Sequence, residues 1–234
     1  CVRAWAGLAG VAILCGVAAE AAAVTVTQQN GGNIYADAAG GNAWSGTADV
    51  IYQGTPEGAV RGGLFRLVAD DGTGAPEDFV AFCFEFSQFF SAGAVYDTVS
   101  LVVPTTIDQA TFDALDALYS NAYDLVSDGL TAAAFQFALW EISEDAGTGL
   151  DLSGGSFEVT DDGQVATLAG TYIDNIVSAV WAPTGGYEFT RLANPDTQDL
   201  IVAAPSDVPL PASALLLAAG LAGIGWLARR RAAV

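Results

Sequence analysis

Hydrophobic and polar positions alternate in short runs between residues 24 and 70, for example in VTVTQQ and ADVIYQG, and glycine pairs separate these runs. Alternation with a period of two, interrupted by glycine, predicts several short strands joined by tight turns. The pattern continues in FVAFCFEF, residues 79 to 86. On a strand, Cys83 and Glu85 would lie on one face, opposite an apolar face made by Val80, Phe82, Phe84 and Phe86.

The pattern then changes to a helical period. Thr106 and Gln109 have the spacing of a capping box, followed by apolar residues at Phe112, Leu115, Leu118, Tyr119 and Ala122. A second helix is predicted in TAAAFQFALWEISED with Thr131 as N-cap, and its apolar face would contain Ala132, Ala133, Gln136, Leu139 and Trp140.

A third helical stretch, LAGTYIDNIVSAVW, and a strand pair around YEFTRLAN and DLIVAA complete the pattern. We therefore predict an α+β fold, a β-rich sandwich or barrel with a small inserted helical bundle. This body, residues 24–204, is flanked by a predicted signal peptide and a predicted C-terminal membrane helix.

Both ends of the chain have the composition of targeting segments. Residues 1–23 combine Arg3, an apolar run and a final Ala21-Ala22-Ala23, which predicts a secretory signal peptide. In residues 205–234, an uncharged apolar run from 213 to 228 precedes a cluster of three arginines, Arg229, Arg230 and Arg231. This order predicts a short membrane helix followed by a cytoplasmic stop-transfer signal, with the body outside the cytoplasm.

A proline motif precedes the predicted membrane helix. Its residues are Val208, Pro209, Leu210, Pro211 and Ala212, and prolines keep such a segment out of a regular helix. The motif, the apolar run and the arginine cluster together resemble the VPLPA variant of the PEP-CTERM sorting signal of Gram-negative bacteria. The resemblance implies that an exosortase-like membrane enzyme cleaves near the motif and transfers the body to the cell surface or the extracellular matrix.

Charge and composition exclude several classes of function. The 234 residues include 27 acidic and 7 basic residues, a net charge of -20, and no histidine. An acidic surface repels phosphate backbones, so we expect no nucleic-acid partner. Without histidine, a Ser-His-Asp or Cys-His relay and a His-based zinc site are excluded. Asp151, Asp161 and Asp162 could bind calcium but lack a recognised ligand spacing, so we predict no metal, no cofactor and no turnover enzyme.

Two residues stand out in the body. Cys1 and Cys15 would leave with the signal peptide, so Cys83 would have no intramolecular disulfide partner. It is then a buried inert thiol, an intermolecular disulfide partner or a reactive group. Gln136 lies within an apolar helical face, so its carboxamide requires hydrogen-bond partners or a chemical role.

The surroundings of both residues resemble the thioester domains of bacterial surface adhesins. The matching segments are Phe82-Cys83-Phe84-Glu85 and Gln136-Phe137-Ala138-Leu139-Trp140. Phe84 and Phe135 stand where that family usually has an aliphatic residue and a threonine. The resemblance implies a thioester between Cys83 and Gln136, in a pocket formed by Phe82, Phe84, Glu85, Phe135 and Trp140.

Two functions follow from these observations. The first is a covalent adhesin or matrix-linking protein that captures an amine on a surface or matrix partner, with Glu85 or Glu141 handling protons. The alternative is a passive cell-surface or extracellular-matrix structural protein in which Cys83 is inert. The absence of lysine would prevent copies from consuming one another's thioesters through side chains, and a compositional bias toward arginine explains that absence equally well.

Overall fold

The structure, a computed structural model, describes residues 23–29, 34, 35 and 44–206. Most of the predicted signal peptide and the whole sorting segment, with its proline motif, membrane helix and arginine cluster, lie outside the described residues. In the described part of the chain, no helix has both the length and the apolar character needed to cross a bilayer. The described residues form a mixed α+β fold, as the hydrophobic pattern predicts.

The strands and helices follow one another in a β-rich first half and a helical middle. Six strands come first: β1 (Ala23–Gln28), β2 (Ser45–Tyr52), β3 (Thr55–Gly63), β4 (Phe65–Asp70), β5 (Glu77–Cys83) and β6 (Ala94–Ser100). Helices α1 (Gln109–Ala122) and α2 (Gly129–Asp145), strand β7 (Phe157–Val159), helix α3 (Gln164–Val177) and strands β8 (Tyr187–Ala193) and β9 (Leu200–Pro205) follow.

Six of the strands close into an antiparallel barrel in the order β1-β4-β5-β9-β8-β6. The alternation that predicts these strands also fills the barrel, since Val24 and Val26 of β1 and Leu67 of β4 are buried. Strand β5 joins β9 through only two residue pairs, Phe82 with Ile201 and Cys83 with Leu200. The barrel is therefore closed by a short seam at Cys83.

The other three strands form a separate sheet in the order β3-β2-β7. Helix α2 packs against this sheet, against β5 and against both other helices. Its residues 132–142 are all buried, so no face of that segment is exposed to solvent. A helix that is enclosed on all sides fixes side chains more precisely than a surface helix does.

Both helix starts differ from the sequence prediction. Helix α1 is capped by Asp108, which accepts a hydrogen bond from the Thr111 amide at 2.9 Å, whereas the Thr106 hydroxyl donates to the Ser100 carbonyl. Helix α2 is capped by Asp128, and Thr131 lies at the third helical position of a capping box. Because a carboxylate satisfies the first amides as well as a hydroxyl does, the nearby threonines could not identify the caps.

Candidate functional site

The candidate site begins where β5 ends. The strand predicted over residues 79 to 86 ends at Cys83, so Glu85 lies in the segment after the strand and not on the strand face with Cys83. Strands β4 and β5 pair as far as Phe65 and Ala81, two residues before Cys83. The amide and the carbonyl of Cys83 would therefore lack a β4 partner, although the residue is only 3% exposed. Buried backbone groups need hydrogen bonds, so another part of the chain must supply them.

Gln136 of α2 supplies both bonds. Its Oε1 accepts a hydrogen bond from the Cys83 amide at 2.8 Å, and its Nε2 donates to the Cys83 carbonyl at 2.9 Å. The carboxamide thus pairs with one residue as a neighbouring strand would. Gln136 is fully buried, and these two bonds explain how a polar side chain is accommodated inside the apolar helix.

One helical turn later, Trp140 makes a parallel contact. Its Nε1 donates to the carbonyl of Glu85 at 3.2 Å. Residues four apart lie on the same face of a helix, so Gln136 and Trp140 together hold the chain segment that leaves β5. The structure therefore brings Cys83 and Gln136 together, through the backbone of Cys83.

The thiol of Cys83 contacts a different glutamine. Its Sγ donates a hydrogen bond to Oε1 of Gln198 at 2.9 Å, and both residues are buried. Because a C=O bond is about 1.23 Å long, the carboxamide carbon lies no more than about 4.1 Å from the sulfur. A near-attack arrangement needs roughly 3–3.5 Å between these two atoms, and this upper bound is compatible with such a separation.

Gln198 is held in this position by several further bonds. Its Nε2 donates to the Glu85 carbonyl at 2.9 Å, and its backbone amide donates to the Phe89 carbonyl at 3.2 Å. The Tyr96 hydroxyl donates to the Gln198 carbonyl at 3.3 Å. The Glu85 carbonyl thus accepts from both Trp140 and Gln198, which ties α2 to the segment before β9.

Burial affects the charge of two titratable groups near the hydrogen bond between Cys83 and Gln198, namely the Cys83 thiol and the Glu85 carboxyl. Loss of solvent raises the pKa of the Cys83 thiol well above its usual range, so the sulfur is protonated at neutral pH. Burial, and then the charge of Asp199, raises the pKa of the half-buried Glu85 carboxyl. The Glu85 Oε1 also accepts a hydrogen bond from the Asp199 amide at 3.4 Å.

The aromatic residues predicted to form a pocket occupy two different places. Phe82 and Phe135 stack on each other with ring centroids 4.6 Å apart, and both are fully buried. Trp140 packs against Phe86, with centroids 5.2 Å apart. Phe84 is half-buried instead, and the guanidinium of Arg191 lies 5.6 Å from its ring centre. Three of the four predicted rings, those of Phe82, Phe135 and Trp140, therefore pack at the contact with α2 and exclude water there, whereas Phe84 lies beside Arg191.

Glu141, the other predicted proton carrier, belongs to a different part of the structure. Its Oε1 accepts a hydrogen bond from the Asp151 amide at 2.6 Å, which joins α2 to the loop after it, and its buried Oε2 has no hydrogen-bond partner. Burial raises the pKa of Glu141 to about 8, with the charge of Asp145 contributing less. Among residues 23–29, 34, 35 and 44–206, no group of three or more acidic or cysteine side chains is arranged to hold a metal ion.

Sequence reasoning missed Gln198 and its neighbour Asp199. Gln198 lies in the turn between β8 and β9, where no period marks a residue as buried. The available signal is the polar pair Gln198-Asp199 directly before the apolar run that forms β9. Asp199 is also buried, and it forms an ion pair with Arg191 and accepts from the Asn194 amide at 2.7 Å.

Comparisons with protein-family models, with curated proteins and with solved structures give no match to this chain.

Proposed function

We propose that the protein is an exported surface protein whose Cys83 and Gln198 form an internal thioester that captures amines covalently. The observation that carries this proposal is the buried contact of 2.9 Å between the Cys83 sulfur and the Gln198 carboxamide oxygen. The chemistry is the one that the adhesin resemblance implies, but the thiol contact favours Gln198 as the bonded residue. Gln136 then has a positioning role, because both of its hydrogen bonds go to the backbone of Cys83.

The proposed reaction balances without a cofactor. The sulfur attacks the carboxamide carbon of Gln198, the bond from that carbon to Nε2 breaks, and the thiol proton leaves with the nitrogen as ammonia. A thioester and ammonia are the products. Since the buried thiol is protonated at neutral pH, its proton must leave the sulfur during the attack, and it departs on the nitrogen as ammonia. Proximity in a packed site lowers the barrier for a poor electrophile such as a carboxamide.

The second candidate is a passive structural protein of the cell surface or extracellular matrix. Complete burial and a neutral thiol are also the properties of an inert cysteine, so these two observations favour it. In both cases we propose the same route to the surface: a signal peptide at the start, membrane anchoring at the C-terminus, and processing by an exosortase-like enzyme in a Gram-negative bacterium.

The intact mass of the mature protein, recovered from the cell surface, tests the proposal. We expect a mass lower by one ammonia than the processed sequence requires, and no free thiol after mild denaturation. Methylamine should then add to Gln198 and release the Cys83 thiol. Cys83→Ser and Gln198→Ala should each abolish methylamine addition, and peptide mapping locates the modified glutamine.

The remaining outcomes separate the alternatives. Methylamine found on Gln136 would retain the thioester and overturn the assignment to Gln198. One full free thiol in the untreated protein, with the ammonia mass present, would favour the passive structural protein. Gln136→Leu is a matched variant that keeps both reacting groups, and we expect it to form the thioester slowly, because the Cys83 backbone loses two hydrogen bonds.

A further inference from the structure

A polar cleft of about 190 Å³ is lined by residues that neighbour the Cys83 and Gln198 pair, although neither member of the pair lines it. Its lining includes the side chains of Glu85, Asp97, Arg191 and Asp199. Two of these residues connect it to the proposed bond, since Asp199 follows Gln198 in the chain and the Glu85 carbonyl accepts from Gln198 Nε2 at 2.9 Å. The sulfur itself is buried, so a molecule that reacts with a bond here needs a route through an opening such as this cleft.

The charges that line the cleft are unbalanced. Arg191 is engaged by Asp199, through an ion pair and a hydrogen bond from its Nε. Glu85 and Asp97 form no ion pair among the described residues, although the charge of Arg191 also acts to lower the pKa of Glu85. Three carboxylates and one guanidinium leave the cleft with a net negative charge. Glu85 is half-buried and Asp97 is exposed, so the cleft offers one solvated carboxylate and one that is partly shielded from water.

We infer that this cleft admits the attacking amine as a primary ammonium ion, with the exposed Asp97 attracting it and the half-buried Glu85 accepting its proton. The inference rests on the proposed thioester. The ammonium gives one proton to the Glu85 carboxylate, and the free amine attacks the Gln198 carbonyl carbon. The carbon–sulfur bond then breaks, and the sulfur takes the second proton from the amine nitrogen. The products are a substituted amide and the Cys83 thiol, and the proton on Glu85 passes to solvent.

The arrangement selects among amines by charge. Two carboxylates attract an ammonium group and repel a carboxylate carried by the same molecule. An unbranched chain with an ammonium group at each end, which resembles a lysine side chain surrounded by other cations, would be preferred. A chain that carries a carboxylate at its far end would react more slowly. The partner is therefore a lysine in a basic surface or a polyamine, and not a free amino acid.

The test compares 1,5-diaminopentane, pentylamine and 5-aminopentanoate, which differ in the charge of the far end. The readout is the rate at which each amine releases the Cys83 thiol from the thioester form. We expect the diamine to react fastest and the amino acid slowest, with about tenfold between these two at low salt. Added salt should reduce this ratio in the wild-type protein.

Two variants assign the roles of the carboxylates. Asp97→Asn should reduce the preference for the diamine several-fold. Glu85→Gln removes one attracting charge and also the proton acceptor, so it should slow all three amines by about a hundredfold and keep their order. Asp78→Asn is the matched control. It removes an exposed carboxylate of β5 about 16 Å along the strand from Cys83, and we expect wild-type selectivity.

The outcomes distinguish this inference from the function it rests on. Absence of the thioester, read from the mass before any amine is added, overturns both. A thioester that reacts with the three amines at equal rates, with no effect of salt or of Asp97→Asn, overturns the cleft inference and retains the proposed function. Selectivity that Asp78→Asn changes as much as Asp97→Asn also overturns it, since net charge would then be the cause.

Discussion

Two glutamines contact Cys83, and their hydrogen bonds separate their roles. Gln136 binds the backbone of Cys83, while Gln198 contacts its sulfur. Hydrophobic periodicity indicates Gln136, because a polar residue inside an apolar helical face is conspicuous. It gives no indication of Gln198, because a residue in a turn has no periodic neighbours to compare with. The sequence therefore predicts the residue that orients the cysteine and misses the one that its sulfur contacts.

A buried acid of α2 gives a prediction at the same scale. The pKa of Glu141 is raised from 4.5 to about 8 in the folded protein, so between these values the folded state binds more protons than the unfolded state. Its contribution to stability is present below pH 4.5 and is lost as pH rises toward 8. We expect the free energy of unfolding to fall by at most about 1.4 kcal/mol per pH unit across this window.

Glu141→Gln removes this titration while keeping an acceptor for the Asp151 amide. The free energy of unfolding is measured with urea between roughly pH 5 and 8, the range in which Glu141 is expected to titrate. A Cys83→Ser background removes any cross-link chemistry. In that background, Glu141→Gln should give a flatter dependence of this free energy on pH than the parent. Glu57 is exposed near the start of β3, so Glu57→Gln serves as the control and should keep the pH profile of the parent. If both variants keep the parent slope, Glu141 does not titrate in that range in the folded protein.

At the scale of elements, α2 determines the geometry of the site. The pattern of its residues predicts a helix, and the structure confirms a helix there. The pattern assigns an apolar face on one side only, whereas the structure encloses residues 132–142 on every side. A helix between two sheets is apolar almost all round, so its sequence carries little information about which side contacts which strand.

Strand β3 approaches α2 at a glycine, and this close approach is testable. A Cβ on Gly62 would lie 2.9 Å from Phe137 Cε2, 3.0 Å from Gln136 Cγ and 3.1 Å from Trp140 Cζ3. Gly62→Ala should therefore displace the residues that hold Cys83 and Glu85. We expect a loss of about 1–3 kcal/mol in the free energy of unfolding and slower thioester formation.

Urea unfolding and the rate of ammonia loss measure the two effects. Gly74→Ala is the matched control, because a Cβ at Gly74 would meet no atom within 4 Å. It should leave both quantities unchanged. If Gly62→Ala instead has the wild-type free energy of unfolding and the wild-type rate of ammonia loss, α2 can move without disturbing Cys83. That result would contradict the positioning role given to Gln136.

At the scale of the whole molecule, the sequence predicts the fold class but not the assembly of the sheets. Local alternation predicts strands in the first half of the chain and a strand pair near residue 190, and these are confirmed as β1 to β5, β8 and β9. The division into a barrel and a three-stranded sheet depends on long-range pairs such as Val50 with Val159. Such pairs join segments with similar local patterns, so a single sequence does not distinguish them.

The position of the proposed bond predicts its effect on the stability of the entire fold. Cys83 and Gln198 are 115 positions apart, and the segment between them contains all three described helices. A cross-link across such a segment restricts the unfolded chain, and loop-closure entropy gives about 4–5 kcal/mol for loops of this length. For a domain of this size that corresponds to a melting temperature higher by on the order of 10 °C.

Methylamine supplies the comparison, because it opens the thioester while leaving every other residue in place. We expect calorimetry to show a lower melting temperature for the methylamine-treated protein than for the untreated protein. Cys83→Ser, with and without methylamine, is the control that should show no difference. Equal melting temperatures for treated and untreated wild-type protein, with methylamine incorporation verified by mass, would mean that the bond does not restrain the unfolded chain across the β5–β9 seam. In that case the stability of the barrel would come from its packed core alone, and the bond would serve only to capture an amine.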